Sequence, residues 1–283
     1  MPAASLDKAT LLQRVGTAVA VIVEGEETGG DAWIYGDIWF GGRAREIRFL
    51  PQGSWGNVVD AVAKLRSEPP LHPVYGLIDR DCSAESQLDD LVPQGVYRSR
   101  FYSVENYLLD PDCWHRVFQL VMRPHGGLPP GWASPSDVEA RITACYHGCR
   151  QATAFNRVVS RTAAAHPEYA SAPRYIRNLR DARLFRREEL LLEWARRCAH
   201  SGDLSADLRR ETEAIEAAGM ADLPCLIDGK MVQEAFLEQF QSIRPGKGFG
   251  YGDYVNLYLH QCPDPPLDAI NLLERILRDA GRA

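Results

Sequence analysis

A chain of 283 residues that is 45% hydrophobic can bury a sizeable core in one or two domains. No run of about eighteen apolar residues occurs, which excludes a membrane-spanning helix, and a net charge of −6 argues against indiscriminate binding of nucleic acid. Seven cysteines, an odd number in a long chain, do not read as a disulfide framework; the opening MPAASLDKATLLQRVG lacks the basic-then-apolar order of a secretory signal, so a reducing cytoplasm is expected.

In chain order, Ala18 to Val23 (AVAVIV) reads as a buried strand that ends in an acid, Glu24, followed by Gly25, Glu26 and Glu27. Thr28-Gly29-Gly30 supplies a turn. Asp31 to Phe40 reads as a short helix with an apolar face, weakened by Gly36. Arg45 to Leu50 alternates like a strand and is broken by Pro51-Gln52-Gly53-Ser54. From Trp55 to Arg66 the apolar residues recur at 55, 58, 59, 62 and 65, an amphipathic helix with Ser54 as its N-cap. After Pro69-Pro70 comes Val74 to Asp81 (VYGLIDRD), a short apolar run bounded by Pro73 that breaks into Asp-Arg-Asp. Strand, helix, strand, helix, strand calls for parallel pairing with right-handed crossovers, an α/β core over residues 1–110.

A polar segment then leads to Gly95–Val104, which alternates like a strand and runs into Glu105-Asn106. Beyond Pro111 the texture turns helical: Asp112–Arg123, a Pro/Gly-rich loop over 125–135, and a long helix whose Ser136 and Glu139 have capping-box spacing. Pro173 opens an Arg-rich helix to about His200, and further helices follow near 204–218, 230–241, 253–261 and 266–280. Residues 111–283 are thus expected to form a helical region that packs on the core and contributes to its site.

Acids at the end of a parallel strand sit at its carboxyl edge, where open α/β sheets place their ligand crevice. Residues i and i+2 of a strand point to the same side, so Asp79 and Asp81 converge while Arg80 faces away. Two convergent carboxylates repel unless a cation lies between them, and such hard oxygen donors suit Mg²⁺ or Mn²⁺. A lone DxD is equally a solvated loop after a strand; Glu24, at the end of the first strand, is what tips the balance.

With VIVEGE, VYGLIDRD and YSVENYLL in that order, the chain resembles the TOPRIM-like nucleases of bacterial defence. These are the OLD-type proteins and the TOPRIM effector of the ATPase–TOPRIM pair called PARIS. The resemblance covers residues 18 to about 110 by motif, and extends more weakly to Ile227-Asp228-Gly229-Lys230. It implies phosphodiester cleavage with divalent metal on Glu24, Asp79 and Asp81, metal that polarises a phosphoryl oxygen and orients a water. A second carboxylate set, from Glu26 or Glu105, would hold a second ion about 4 Å away. Glu24 or Glu26 would otherwise serve as general base. One departure is that Thr28-Gly29-Gly30 intervenes where relatives carry a further acid, so Glu26, Glu27 and Asp31 compete for that place.

Lys230 follows Gly229 at a helix start, where a positive charge is unfavourable by the dipole argument and an anion is favoured. It is therefore read as a contact to the scissile phosphate. Arg174, Arg177, Arg180, Arg183 and Arg186 recur every three residues, but in an α-helix each such step turns about 300°, so the row drifts round the helix and reads as a solvated face. Cys145-x-His147-x-Cys149 lacks the second pair that zinc needs, and the glycine-rich Gly246–Gly252 lacks P-loop spacing. No Walker motif is present, so an ABC-type ATPase partner would be a separate chain.

The expectation is a Mg²⁺- or Mn²⁺-dependent endonuclease, cutting RNA such as tRNA or DNA. It would be a toxic effector restrained by its ATPase and able to self-associate when released. The alternative is a non-catalytic TOPRIM docking module. Primase- or topoisomerase-type chemistry ranks below both, because neither a zinc domain nor a strand-passage domain is evident.

Overall fold

Five consecutive apolar residues leave a strand no polar face, so Val19–Val23 (β1) has to be covered on both sides, and all five are buried. In a computed structural model, which describes residues 7–25, 30–69, 72–80, 89–169, 171–244 and 249–282, β1 lies inside a sheet. It pairs in parallel with β2 (Ile47–Pro51) on one side and β3 (Val74–Ile78) on the other. β4 (Val96–Arg98) adds to β3, also in parallel, and the four-stranded order is β2-β1-β3-β4. The protein is α/β, with an all-parallel sheet and a mostly helical later part.

Two helices cover one face. α1 (Lys8–Val15) starts at an Asp7 cap, whose carboxylate accepts the Thr10 N–H at 2.7 Å. Its Leu11 and Val15 join Val58, Val62 and Leu65 of α3 (Trp55–Ser67) against Ala20, Ile22, Val74 and Ile78 of the sheet. Lys8 is buried, and its ammonium donates to the Leu65 carbonyl at 2.7 Å, tying α1 to α3. This helix is absent from the sequence expectations; its short amphipathic pattern becomes decisive only beside a partner. On the other face, α2 (Asp31–Trp33) runs into a π-helix, Ile34–Trp39, and Tyr35 and Phe40 stack on Phe49. The last helix, Leu267–Asp279, packs in this same unit: Leu272, Leu273 and Ile276 meet Tyr35, Phe49 and Leu77, and the Tyr97 hydroxyl donates to Asp279.

The chain divides into two compact units. One holds the sheet, its helices and the segment from Cys262 onward; the other runs from Phe101 to Gln261. The expected division at residue 110 is therefore drawn differently, because the 266–280 helix has an apolar face that the sheet accepts. Cys262 is disulfide-bonded.

The second unit is built from α4 (Pro111–Met122), α5 (Pro135–Ala165), α6 (Arg187–Arg197), α7 (Leu204–Ala217), α8 (Gly229–Ile243) and α9 (Tyr251–Gln261). Its core is aromatic. Phe118 stacks on Phe240 at 3.7 Å, and Trp114, Trp132, Phe236 and Tyr258 close around them. Cys113 is disulfide-bonded, whereas Cys145, Cys149, Cys198 and Cys225 are free thiols. Among the described residues no helix is long and apolar enough to cross a membrane.

Three local expectations are corrected. The strand expected over 95–104 ends at Arg98, and Val104–Leu108 forms a 3₁₀ turn capped by Ser103 and Asn106. α5 is capped by Ser134 with Asp137, not by Ser136 with Glu139, because Pro135 fits only the first helical position. The Arg-rich helix begins at Arg187; a non-helical stretch and a 3₁₀ helix, Ala182–Arg186, precede it.

Between α5 and α7 lies a buried charge cluster. Glu211 is 7% exposed and holds Arg157 at 2.9 Å and Arg161 at 2.5 Å. Removing the shared carboxylate strands two guanidiniums, one of them largely buried, whereas removing Arg161 leaves the other pair intact. Glu211→Ala is therefore expected to cost about 3 kcal/mol, and Arg161→Ala about 1 kcal/mol or less, measured by urea unfolding.

Candidate functional site

Because β1 and β3 are adjacent and in parallel register, with Val23 opposite Leu77, the chain leaves both strands at the same edge. Glu24 and Asp79 are the first residues past those ends. The Glu24 carboxylate accepts the Asp79 backbone N–H at 2.9 Å, so the acid of one strand exit is held at the other. A backbone feature on the far side fixes the approach. Gly25 and Gly53 form a two-bond antiparallel bridge, N–H to carbonyl at 2.8 and 2.9 Å, and both have positive φ, +89° and +80°. A side chain at either position would be strained, which is the physical reason for glycine after Glu24.

Asp79 is half-buried, as is Glu24. Asp81 and Glu26, expected at the same edge, lie outside the described residues, as does Glu27. Asp31, their competitor, opens α2. Among the described residues no three His, Cys, Asp or Glu side chains are gathered as a metal cluster. The donor chemistry nonetheless fits a hard divalent cation, since Glu24 and Asp79 offer only carboxylate oxygens. A carboxylate has about four lone-pair sites, so one N–H bond orients Glu24 without exhausting it.

The second unit assembles another set of polar residues around the 3₁₀ turn that carries Glu105. Asn106, buried inside that turn, donates to the Tyr146 hydroxyl at 3.0 Å and to the Ile227 carbonyl at 3.1 Å. That bond seats the start of α8 on the turn. The fit is close enough that a Cβ on Gly229 would overlap the Asn106 main chain and lie 2.6 Å from its Cγ. The YSVENYLL and IDGK stretches, far apart in sequence, are thus packed on one another.

Asp228 caps α8, accepting the N–H groups of Lys230 at 2.9 Å and Met231 at 3.4 Å. Burial pushes its carboxyl up to about 6, the Glu105 charge adds to the rise, and the two N–H bonds and Lys230 partly offset it. Glu234 is raised too, first by burial, then by Glu238 and Glu105, and Lys230 opposes the shift. Burial, followed by Glu105, Glu234 and Asp228, likewise raises the Tyr251 phenol, whose hydroxyl donates to the fully buried Gln233.

Lys230 is exposed, and its charge at a helix start is explained by the acids it faces, Asp228 and Glu234. Glu105 and Lys230 belong to this unit, and Glu24 and Asp79 to the first. Sequence reasoning did not single out Asp228, Gln233, Glu234 or Tyr251; the signal was present in Asp228-Gly-Lys as an N-cap.

Cys145 and Cys149 are buried side chains of α5, and burial raises the Cys145 thiol to about 11 and the Cys149 thiol well above its usual value, while His147 is exposed. Of the glycine-rich stretch, residues 245–248 lie outside the described residues. No family of known proteins matches the chain by sequence pattern, and no curated protein is significantly similar to it.

Two outcomes follow. Helix propensity alone would make Gly229→Ala stabilising by about 1 kcal/mol, but the overlap with Asn106 reverses the sign, and a loss of about 1–3 kcal/mol is expected in chemical denaturation. Asp228 has a folded pKa above its unfolded one, so its protonation stabilises the fold below about pH 4, and that contribution is lost as pH rises to about 6. Asp228→Asn keeps a capping side chain and removes the charge. With divalent metal chelated, it should be more stable than wild type by about 1–2 kcal/mol at pH 7.5, allowing for partial solvent screening, and indistinguishable at pH 4, by thermal melts.

Proposed function

We propose that this chain is a metal-dependent endonuclease that hydrolyses phosphodiester bonds in RNA or DNA. It would be the cytoplasmic effector of a defence system, held in check by a separate ABC-type ATPase and self-associating on release. The observation that carries this reading is the meeting of Glu24 and Asp79 at the carboxyl edge of a parallel sheet. With it stands the resemblance of VEGE, DRD and YSVENYLL to TOPRIM-like nucleases. Mg²⁺ or Mn²⁺ would be held by Glu24, Asp79 and Asp81, and when bound it supplies charge stabilisation at the phosphoryl oxygens and a more acidic water.

The chain's own residues act around that ion. The Asp79 N–H orients the Glu24 carboxylate, and the Gly25–Gly53 bridge holds the strand exit that carries it. Glu26, or Glu24 where it is not a metal ligand, would accept a proton from the attacking water. Glu105, whose charge helps raise the Asp228 carboxyl, is the acid proposed for a second ion. Lys230, exposed at the start of α8, is the ammonium proposed to meet a phosphate.

The second reading, a non-catalytic docking module, is favoured by the same bond in another light. A strand-end carboxylate that accepts a neighbouring N–H is also what a purely structural acid does. Mutation separates the two. Glu24→Ala and Asp79→Ala should each abolish cleavage of nucleic acid in the presence of Mg²⁺ while binding of the ATPase partner persists. In thermal-shift titrations, Mg²⁺ at about a hundred times its Kd should stabilise wild type by about 2.7 kcal/mol and leave Asp79→Asn unmoved. Retention of toxicity and cleavage by both alanine variants would hand the chain to the docking reading.

A further inference from the structure

The stretch from Arg174 to Arg187 is unused by the reading above. It carries six arginines against one carboxylate, Asp181, in a chain whose net charge is −6. On an α-helix the three-residue repeat would spiral away from any single partner. The observed conformation removes that objection, because residues 172–177 are not helical and Ala182–Arg186 is a 3₁₀ helix. With three residues per turn, a 3₁₀ helix places i and i+3 on one face, so Arg183 and Arg186 project together.

The non-helical part is pinned from within. Ile176 is 1% exposed, its N–H donates to Asn156 Oδ1 at 2.8 Å, and its carbonyl accepts from Asn156 Nδ2 at 2.8 Å. With Ile176 turned inward, Arg174, Tyr175 and Arg177 are left on the surface. Arg180, Arg183 and Arg186 have carboxylate partners in Glu238, Asp181 and Glu189, at 3.0, 2.9 and 3.1 Å. Among the described residues neither Arg174 nor Arg177 forms an ion pair. Two aromatic rings interrupt the charges: Tyr175 is 44% exposed, and Phe185, between Arg183 and Arg186, is 88% exposed.

Surface guanidiniums with exposed rings among them match one polymer chemistry, a strand with a phosphate and an unstacked base at every repeat. We propose that this surface binds single-stranded nucleic acid, with Arg174 and Arg177 on phosphates and Phe185 and Tyr175 stacked on bases. It gives a net-acidic chain the local basic footing that a nuclease needs, and in that respect it rests on the reading above. Duplex is disfavoured because its bases are already stacked on one another. An acidic protein would satisfy the arginines and leave the rings without a role.

The test is fluorescence polarisation of end-labelled strands of about 20 nucleotides, as single-stranded RNA, single-stranded DNA and duplex. The whole chain is used in a Glu24→Ala background with chelator, so that binding is read without cleavage. Single strands should bind more tightly than duplex, and the tighter of RNA and DNA names the source. Arg174→Ala with Arg177→Ala should weaken binding about tenfold or more at low salt and flatten the log–log salt dependence by about 1.4. Arg174→Lys with Arg177→Lys should restore that slope. Phe185→Ala should weaken binding about tenfold and leave the slope unchanged.

Unaltered affinity in both alanine variants would overturn the proposal, as would duplex bound as tightly as single strands, or displacement by polyglutamate as effective as by unlabelled strand. Its fate is separable from that of the nuclease reading. Strand binding with no cleavage by the Mg²⁺-loaded wild type removes only the nuclease. Cleavage that survives Arg174→Ala, Arg177→Ala and Phe185→Ala with unchanged strand affinity removes only this surface.

Discussion

The arrangement of the first unit follows from the need to cover β1 on both faces. A wholly apolar strand has to be interior to its sheet, and parallel neighbours on either side require crossovers that lay helices over the faces. α1 and α3 supply one cover, and the π-helical turn and last helix the other. Parallel pairing has a further consequence at the strand ends. All four strands leave the sheet in the same direction, so acids placed after two neighbouring strands are brought together by the hydrogen-bond ladder itself. The Glu24–Asp79 contact is thus a product of backbone register rather than of any attraction between carboxylates, which repel.

The second unit solves a different problem, how to keep polar groups inside a helical fold. Asn106 spends its side chain on the cap of its own turn, on Tyr146 and on Ile227, while Gln233 takes the Tyr251 hydroxyl. These bonds satisfy buried amides that would otherwise cost about 1–3 kcal/mol each. They also gather acids around α8, where burial first and the Glu105 charge after it raise Asp228 and Glu234. A cluster of acids in partial burial is unfavourable by itself, and Lys230 at the mouth of α8 is the charge that tempers it. Perturbed acids beside a lone cation are a common property of functional sites, although structural charge networks share it.

The charge distribution joins the two halves of the functional reading. A net-negative chain repels polyanions at long range, so a polyanionic substrate has to be met by a local surface. The first unit offers oxygen donors suited to a metal, and the second offers guanidiniums interleaved with rings.

Much of the sheet was legible in the sequence because strand burial and strand termination are local properties. A run such as VAVIV or VYGLI admits no amphipathic helix, and acids that follow it mark an exit. Glu24 and Asp79 could therefore be named from pattern alone. The rest depended on contacts that no local pattern encodes. Ser134 won the cap of α5 through Pro135, two residues before the rival box at Ser136. The arginine row was legible as a period of three, but whether that period lies on one face or spirals depends on backbone conformation, which Asn156 on a distant helix decides by clamping Ile176. Asp228 became a raised acid only when α8 was seated on the Glu105 turn, because desolvation and like-charge repulsion belong to the packed state. Sequence by itself determined which residues had to be buried and where strands ended; tertiary structure decided which polar groups share an environment, since that is settled by close packing between segments distant along the chain.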